Sequence, residues 1–187
     1  MKKLISSIAL LLAAFASIAI LSAPQPAMAA NAAEISRDAH AALQKLYDTT
    51  PKAKMLGEKA KAVLVFPSIL KVGLIIGGQG GNGALIENGT TVAYYNISAA
   101  SYGLQAGAQE FGYAMFLMTD SARAYIDKSK GWEVGVGPTI VVVDEGAAKS
   151  LTTTTAKDDV YAFIFSQKGL MGGLGVQGSK ITRIHPD

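Results

Sequence analysis

The chain of 187 residues has no cysteine, two histidines and one tryptophan. The missing thiols exclude disulfides, thiolate metal ligands, a cysteine nucleophile and lipid attachment at a leader cysteine. The two histidines, His40 and His185, are far apart in the chain and have no ligand spacing around them, so no metal site follows from them. His40 reads as a solvated or half-buried helix residue. No G-x-S-x-G frame activates a serine. The acid pairs Asp144-Glu145 and Asp158-Asp159 fall at turns, without the regular run of oxygen ligands that calcium needs. No cofactor and no enzymatic activity are expected. A strong charge is lacking too. Lys and Arg number 17 against 14 Asp and Glu, and Lys2 and Lys3 sit in an N-terminal leader. The remainder is close to neutral, so no overall field draws the protein to nucleic acid.

The leader is the one long apolar run. Lys2 and Lys3 precede residues 4–21, which are broken only by Ser6, Ser7 and Ser17. Pro24, Pro26 and the A-x-A sequence Ala27-Met28-Ala29 follow. This is the pattern of a secretory signal peptide over residues 1–29, with cleavage after Ala29 or Ala30. An uncleaved anchor is the rival reading, and the prolines and small residues favour cleavage. The expected location is therefore periplasmic or secreted, with peripheral contact to a membrane. Residues 30–187 are enough for a single domain with its own core. The threonines at 152–155 read as a loop.

The mature segment starts helical. Ile35, Ala39, Leu43, Leu46 and Tyr47 recur at helical spacing, with polar residues between them. Pro51 suits the first turn of a second helix, PKAKMLGEKAKA, with Thr50 as its N-cap. Then the period changes. AVLVFP reads as a buried strand, ENGTTVAYYNIS carries an Asn88-Gly89 hairpin turn, and GYAMFLMT is another strand. DSARAYIDKS opens on Asp120 as N-cap and forms a short helix. WEVGVGPTIVVV, VYAFIFSQ and GLMGGLGVQGSKITRI are strands with glycine turns. The expected fold is α+β. N-terminal helices precede a glycine-rich, strongly curved, mainly antiparallel β-sheet or partly closed barrel with one short inserted helix.

VGLIIGGQGGNGAL contains G-x-G-x-x-G at Gly78, Gly80 and Gly83. A dinucleotide site needs a helix directly after these glycines, yet only four residues separate Gly83 from the Asn88-Gly89 turn. A P-loop lysine is also absent. The glycines, with Gly103, Gly107, Gly112, Gly135, Gly137, Gly172, Gly173 and Gly175, read as strand bends and close backbone approaches. Replacing Gly80 by valine is accordingly expected to destabilise the sheet.

The positive charge that remains is local. Lys52, Lys54, Lys59, Lys61 and Lys71 lie within twenty residues, opposed only by Glu58. On a helix from Pro51, Lys52 and Lys59 share one face, and Lys54 and Lys61 another, with Met55 and Leu56 between them. Lysines flanking an apolar strip suit anionic lipid headgroups, with their stems on the apolar surface. A plain surface helix with solvated lysines, its Met55 and Leu56 packed inward, shares the same pattern.

AKAVLVFPSILKVGLIIGGQGGNGAL, SYGLQAGAQEFGYAMFLMTDSARAYI, VGVGPTIVVV and SQKGLMGGLGVQGSKI together, in this order, resemble the SYLF domain family over about residues 34–184. The resemblance implies a lipid-binding module. Eukaryotic relatives bind phosphoinositides, in part through a basic amphipathic N-terminal helix, and some bind and bundle actin; bacterial relatives are commonly exported. Either the helix around residues 35–47 or the segment 52–61 could correspond to that element. An exported protein does not meet cytoplasmic actin or phosphoinositides in its own cell. The expected activity is peripheral binding to anionic phospholipid of the envelope through Lys52, Lys54, Lys59, Lys61, Met55 and Leu56. The alternative is a non-enzymatic envelope structural or protein-interaction domain.

Overall fold

The computed structural model describes residues 31–73, 76–102, 107–128, 132–133, 138–143, 157–170 and 179–187. The leader, Asp144-Glu145, the threonines at 152–155 and Gly103, Gly135, Gly137, Gly172, Gly173 and Gly175 lie outside the described residues.

Helix α1 (Ala32–Thr49) begins at Asn31, whose side chain accepts a hydrogen bond from the Glu34 amide at 2.8 Å. This satisfies one of the free donors of the first turn, and Glu34 complements the helix dipole there. Ile35, Ala39, Leu43 and Leu46 form its buried stripe, as the periodicity predicts. The Thr50 amide closes on the Leu46 carbonyl at 2.8 Å, and Pro51 starts α2 (Pro51–Gly57). The Thr50 side chain makes no cap bond, contrary to expectation.

The strands are β1 (Ala62–Gly73), β2 (Ile76–Glu87), β3 (Thr90–Tyr102), β4 (Gly107–Leu117), β5 (Trp132–Glu133), β6 (Ile140–Val143), β7 (Val160–Leu170) and β8 (Lys180–Ile184). Helix α3 (Asp120–Lys128) is inserted after β4. They form one sheet in the order β5-β8-β3-β2-β1-β4-β7-β6. Every pairing is antiparallel except β6 with β7. The α+β class and the inserted helix are as expected. Among the described residues the sheet is open, ending at β5 and β6, and is not a closed barrel. The β2–β3 hairpin turns at Asn88 and Gly89, with φ of 48° and 77°. These left-handed values define the two-residue turn that Asn-Gly favours.

The sheet has a core on each face. Toward α3 lie Ala62, Leu64, Phe66, Ile69, Tyr95 and Tyr113, packed with Ala122 and Ile126. Toward α1 and α2 lie Val63, Val65, Ala84, Ala114 and Phe116, packed with Ile35, Leu43, Leu46 and Leu56. The first half of β1 is thus buried on both sides, each large side chain contributing about 1.5–3 kcal/mol. Its continuous apolar run AVLVF follows from that.

Midway, β1 carries a bulge. Phe66 pairs with Tyr113 and Ile69 with Phe111, so Pro67 and Ser68 together face Gly112. Pro67 has no N–H to donate and fits where the ladder is interrupted. Gly112 is needed because a Cβ there would run into the Phe165 ring. The same extra residue sets β1 against β2 between Val65 and Leu70. A bulge bends its strand, and here the chemistry of the sheet changes with it. Beyond it Leu70 and Val72 are 53% and 47% exposed. In the rows beside them stand Gly80, Glu110 and Ser98, then Gly78, Ala108 and Ala100.

Candidate functional site

Helix α2 is shorter than the lysine pattern suggests. It ends at Gly57; the Glu58 amide bonds to Lys54 O, and the amides of Lys59 and Ala60 both return to Leu56 O. The Lys61 amide already bonds to Leu117 O at 2.8 Å, because the following residues must extend to enter the sheet. Lys59 and Lys61 are therefore not on the helix, and the expected pairing of lysine faces is corrected. Lys52 and Lys54 instead lie on α2, the first in its opening turn, and Lys59 and Lys61 in the connection that turns into β1. Lys54, Lys59 and Lys61 are exposed and Lys52 is half-buried.

The apolar partners divide. Leu56 is fully buried in the core between the helices and the sheet. It is not available to a membrane surface, which corrects that assignment. Met55 is half-buried against the same core. Lys61 forms an ion pair with Asp120 at 3.4 Å, both side chains half or more exposed. Lys52, Lys54 and Lys59 take part in none of the ion pairs among the described residues. Lys71 does not belong to this corner. It is only 5% exposed, in a row on the α3 side between Gln79 and Gln109.

Behind the corner lies an open cavity of about 300 Å³ between α1, the α2–β1 connection and the β2–β3 turn. Its polar lining comes from His40, Gln44, Tyr47, Glu58, Lys61 and Asn88, and its apolar lining includes Leu43 and Ile86. His40 is half-buried, as expected, with Nε2 3.1 Å from Thr91 Oγ1, which is itself 2.7 Å from Ser36 Oγ. Burial and, second, the Glu58 carboxylate push the Tyr47 phenol from its ordinary 10 up to about 12. Tyr47 is therefore a neutral donor at physiological pH. Its hydroxyl lies so close to Gly57 that a Cβ there would collide with it. The small Gly57 thus makes room for Tyr47. His185 is exposed at the chain end, away from this cavity.

The glycine motif is part of continuous strand β2 and leads into the hairpin turn, with no helix after it. The geometry of a nucleotide cradle is absent from that stretch. Its glycines are not equivalent. A Cβ at Gly81 or Gly83 would meet backbone oxygen of Ser68 or Val65, whereas at Gly78 or Gly80 the nearest atom is a carbonyl oxygen 3.6 Å away. The expectation that Gly80 is needed for packing is corrected, and the requirement falls on Gly81 and Gly83.

No curated protein matches the chain. The lysines and the cavity lie upstream of a segment that matches a family model. That segment, residues 98–185, matches the model of the family described as Ysc84, Las17-binding protein actin regulator. It runs through β4, α3, β7 and β8 and takes in the stretch SYGLQAGAQEFGYAMFLMTDSARAYI and the later glycine motifs, so that over this segment the match agrees with the resemblance to the SYLF domain family.

Proposed function

We propose that this chain is a non-enzymatic binding module, exported to the envelope after loss of its leader, which docks peripherally and reversibly on membranes containing anionic phospholipid. One observation carries the reading: Lys52, Lys54 and Lys59 follow one another along α2 and its connection to β1 and take part in no ion pair among the described residues, on a protein that is otherwise nearly neutral. Each lysine near an anionic surface contributes about 1 kcal/mol. Three give about 3 kcal/mol, weaker than a millimolar affinity. Met55 and the lysine stems must therefore add apolar contact, since Leu56 is committed to the core. The family description names an actin regulator; an exported chain would carry over the character of a binding module without that partner.

Co-sedimentation with neutral and anionic vesicles tests the reading. Wild type is expected to pellet with anionic vesicles at low salt and to be released as salt rises. Changing Lys52, Lys54 and Lys59 to glutamine should abolish most of that binding. Equal binding by the two proteins would remove the lysine assignment.

A second reading has its own observation. Leu70 and Val72 stand exposed beyond the β1 bulge, beside Glu110 and otherwise small residues, a surface that suits a protein partner in the envelope. Binding to an envelope extract that survives the lysine changes but is lost in a Leu70→Asp, Val72→Asp variant would favour it.

A further inference from the structure

The connection that carries the lysine corner also forms one wall of the cavity. Gly57, Glu58, Ala60 and Lys61 line it, and Lys59 stands beside them on the same segment. Among the lining residues are one acid, Glu58, and, three residues on, one lysine, Lys61, whose ammonium lies 3.4 Å from Asp120 outside the cavity and would have to turn inward to reach a ligand; His40 and Gln44 stand on the α1 side. Tyr47 and Asn88 are neutral hydrogen-bonding groups beside them. Such a lining has no net preference for a simple anion, and its polar groups do not suit a purely apolar ligand. Glu58 and Lys61, once the lysine head exchanges Asp120 for a ligand, complement a molecule that holds the opposite charges a short linker apart. At about 300 Å³ the cavity is at the small end for ligand sites. A headgroup fits that space, while acyl chains would remain outside.

We propose that this cavity is a headgroup site for a phosphoethanolamine-type zwitterion, with the phosphate on Lys61 and the primary ammonium on Glu58. The exposed pair between Lys61 and Asp120 is weak and open to exchange with a phosphate oxygen. The Tyr47 phenol keeps its proton because burial and Glu58 oppose its ionisation, so it can donate to the phosphate without adding negative charge. For a ligand held in a bilayer, the site rests on the membrane reading above. For the same headgroup in solution it does not.

The test separates these sources. Vesicles with a fixed anionic fraction are prepared with choline headgroups, or with ethanolamine headgroups in their place. Ethanolamine is expected to tighten binding about tenfold, the range of one charge-assisted contact. Soluble glycerophosphoethanolamine should reverse the gain. Glu58→Gln, on an exposed side chain, should lose the gain yet keep its melting temperature and its charge-dependent binding to choline vesicles. Equal wild-type binding to the two vesicle sets would overturn the cavity assignment and leave the membrane reading standing. A gain that persists in Glu58→Gln would overturn it as well. If neither vesicle set is bound, calorimetric titration with glycerophosphoethanolamine decides: binding abolished by Glu58→Gln supports the site, and no binding overturns it.

Discussion

The two halves of β1 belong to the same strand and live in different surroundings. From Ala62 to Phe66 every side chain is buried, with α3 on one side and α1 and α2 on the other. After Pro67 and Ser68 the strand keeps Ile69 inside, while Leu70 faces solvent between Gly80 and Glu110, and Val72 between Gly78 and Ala108. The first half supplies stability and fixes the helices that carry the candidate site. The second half contributes little to the core and presents a surface of small residues. The bulge separates the two, so apolar character alone does not reveal which valine or leucine is structural.

Alanine in place of one leucine in each half is the strongest way to break that comparison. Leu64→Ala should cost about 2–5 kcal/mol, since Leu64 is fully buried and the cavity cannot collapse between three layers. Leu70→Ala should change stability by less than about 0.5 kcal/mol. Denaturant unfolding of both variants reads this directly, and equal losses would show that the exposed half is covered.

The glycines of β2 sharpen the same boundary. Gly83→Val drives a side chain into the Val65 carbonyl and the Phe66 ring and should cost about 1–3 kcal/mol or more. Gly80→Val meets only an ordinary contact at 3.6 Å. It should be neutral, or stabilising by up to about 1 kcal/mol through strand propensity. Thermal melts of the pair would reverse this ranking if Gly80 were the tight position.

Alkaline pH probes the covered side more gently. The Tyr47 phenol titrates near 12 in the folded chain against an ordinary 10. A raised value means that the folded state holds the proton more tightly. Its contribution is therefore fully present below pH 10 and is lost as pH rises toward 12. Stability should fall across that window, and Tyr47→Phe should lessen the slope; an unchanged slope would point to other groups. The smallest effect expected is that of Lys61→Gln, below about 0.5 kcal/mol, because its pair with Asp120 is largely solvated.

Local patterns were legible where the chain alone determines them. The stripe Ile35, Ala39, Leu43 and Leu46 announced α1, and Asn88-Gly89 announced the hairpin. The extent of α2 was not legible. The lysine spacing continues past Gly57, yet the backbone of Lys61 is claimed by Leu117, a residue distant in sequence. Leu56 and Met55 are neighbours in the sequence pattern, and only packing against α1 and the sheet puts Leu56 inside and leaves Met55 partly out. The cavity had no sequence signal, because its walls come from residues around 40–47, 57–63 and 86–89. The division between Gly80 and Gly83 likewise depends on a bulge in the neighbouring strand.

The central claim is that the α2–β1 corner meets the membrane, not the bare half of the sheet. Amide hydrogen exchange with and without anionic vesicles tests it most directly, because one experiment reads both regions. The expected result is added protection over residues 51–61, weakened by salt, with little change at residues 69–80. Protection confined to residues 69–80, with none at the corner, would contradict the claim and transfer the function to the exposed sheet face.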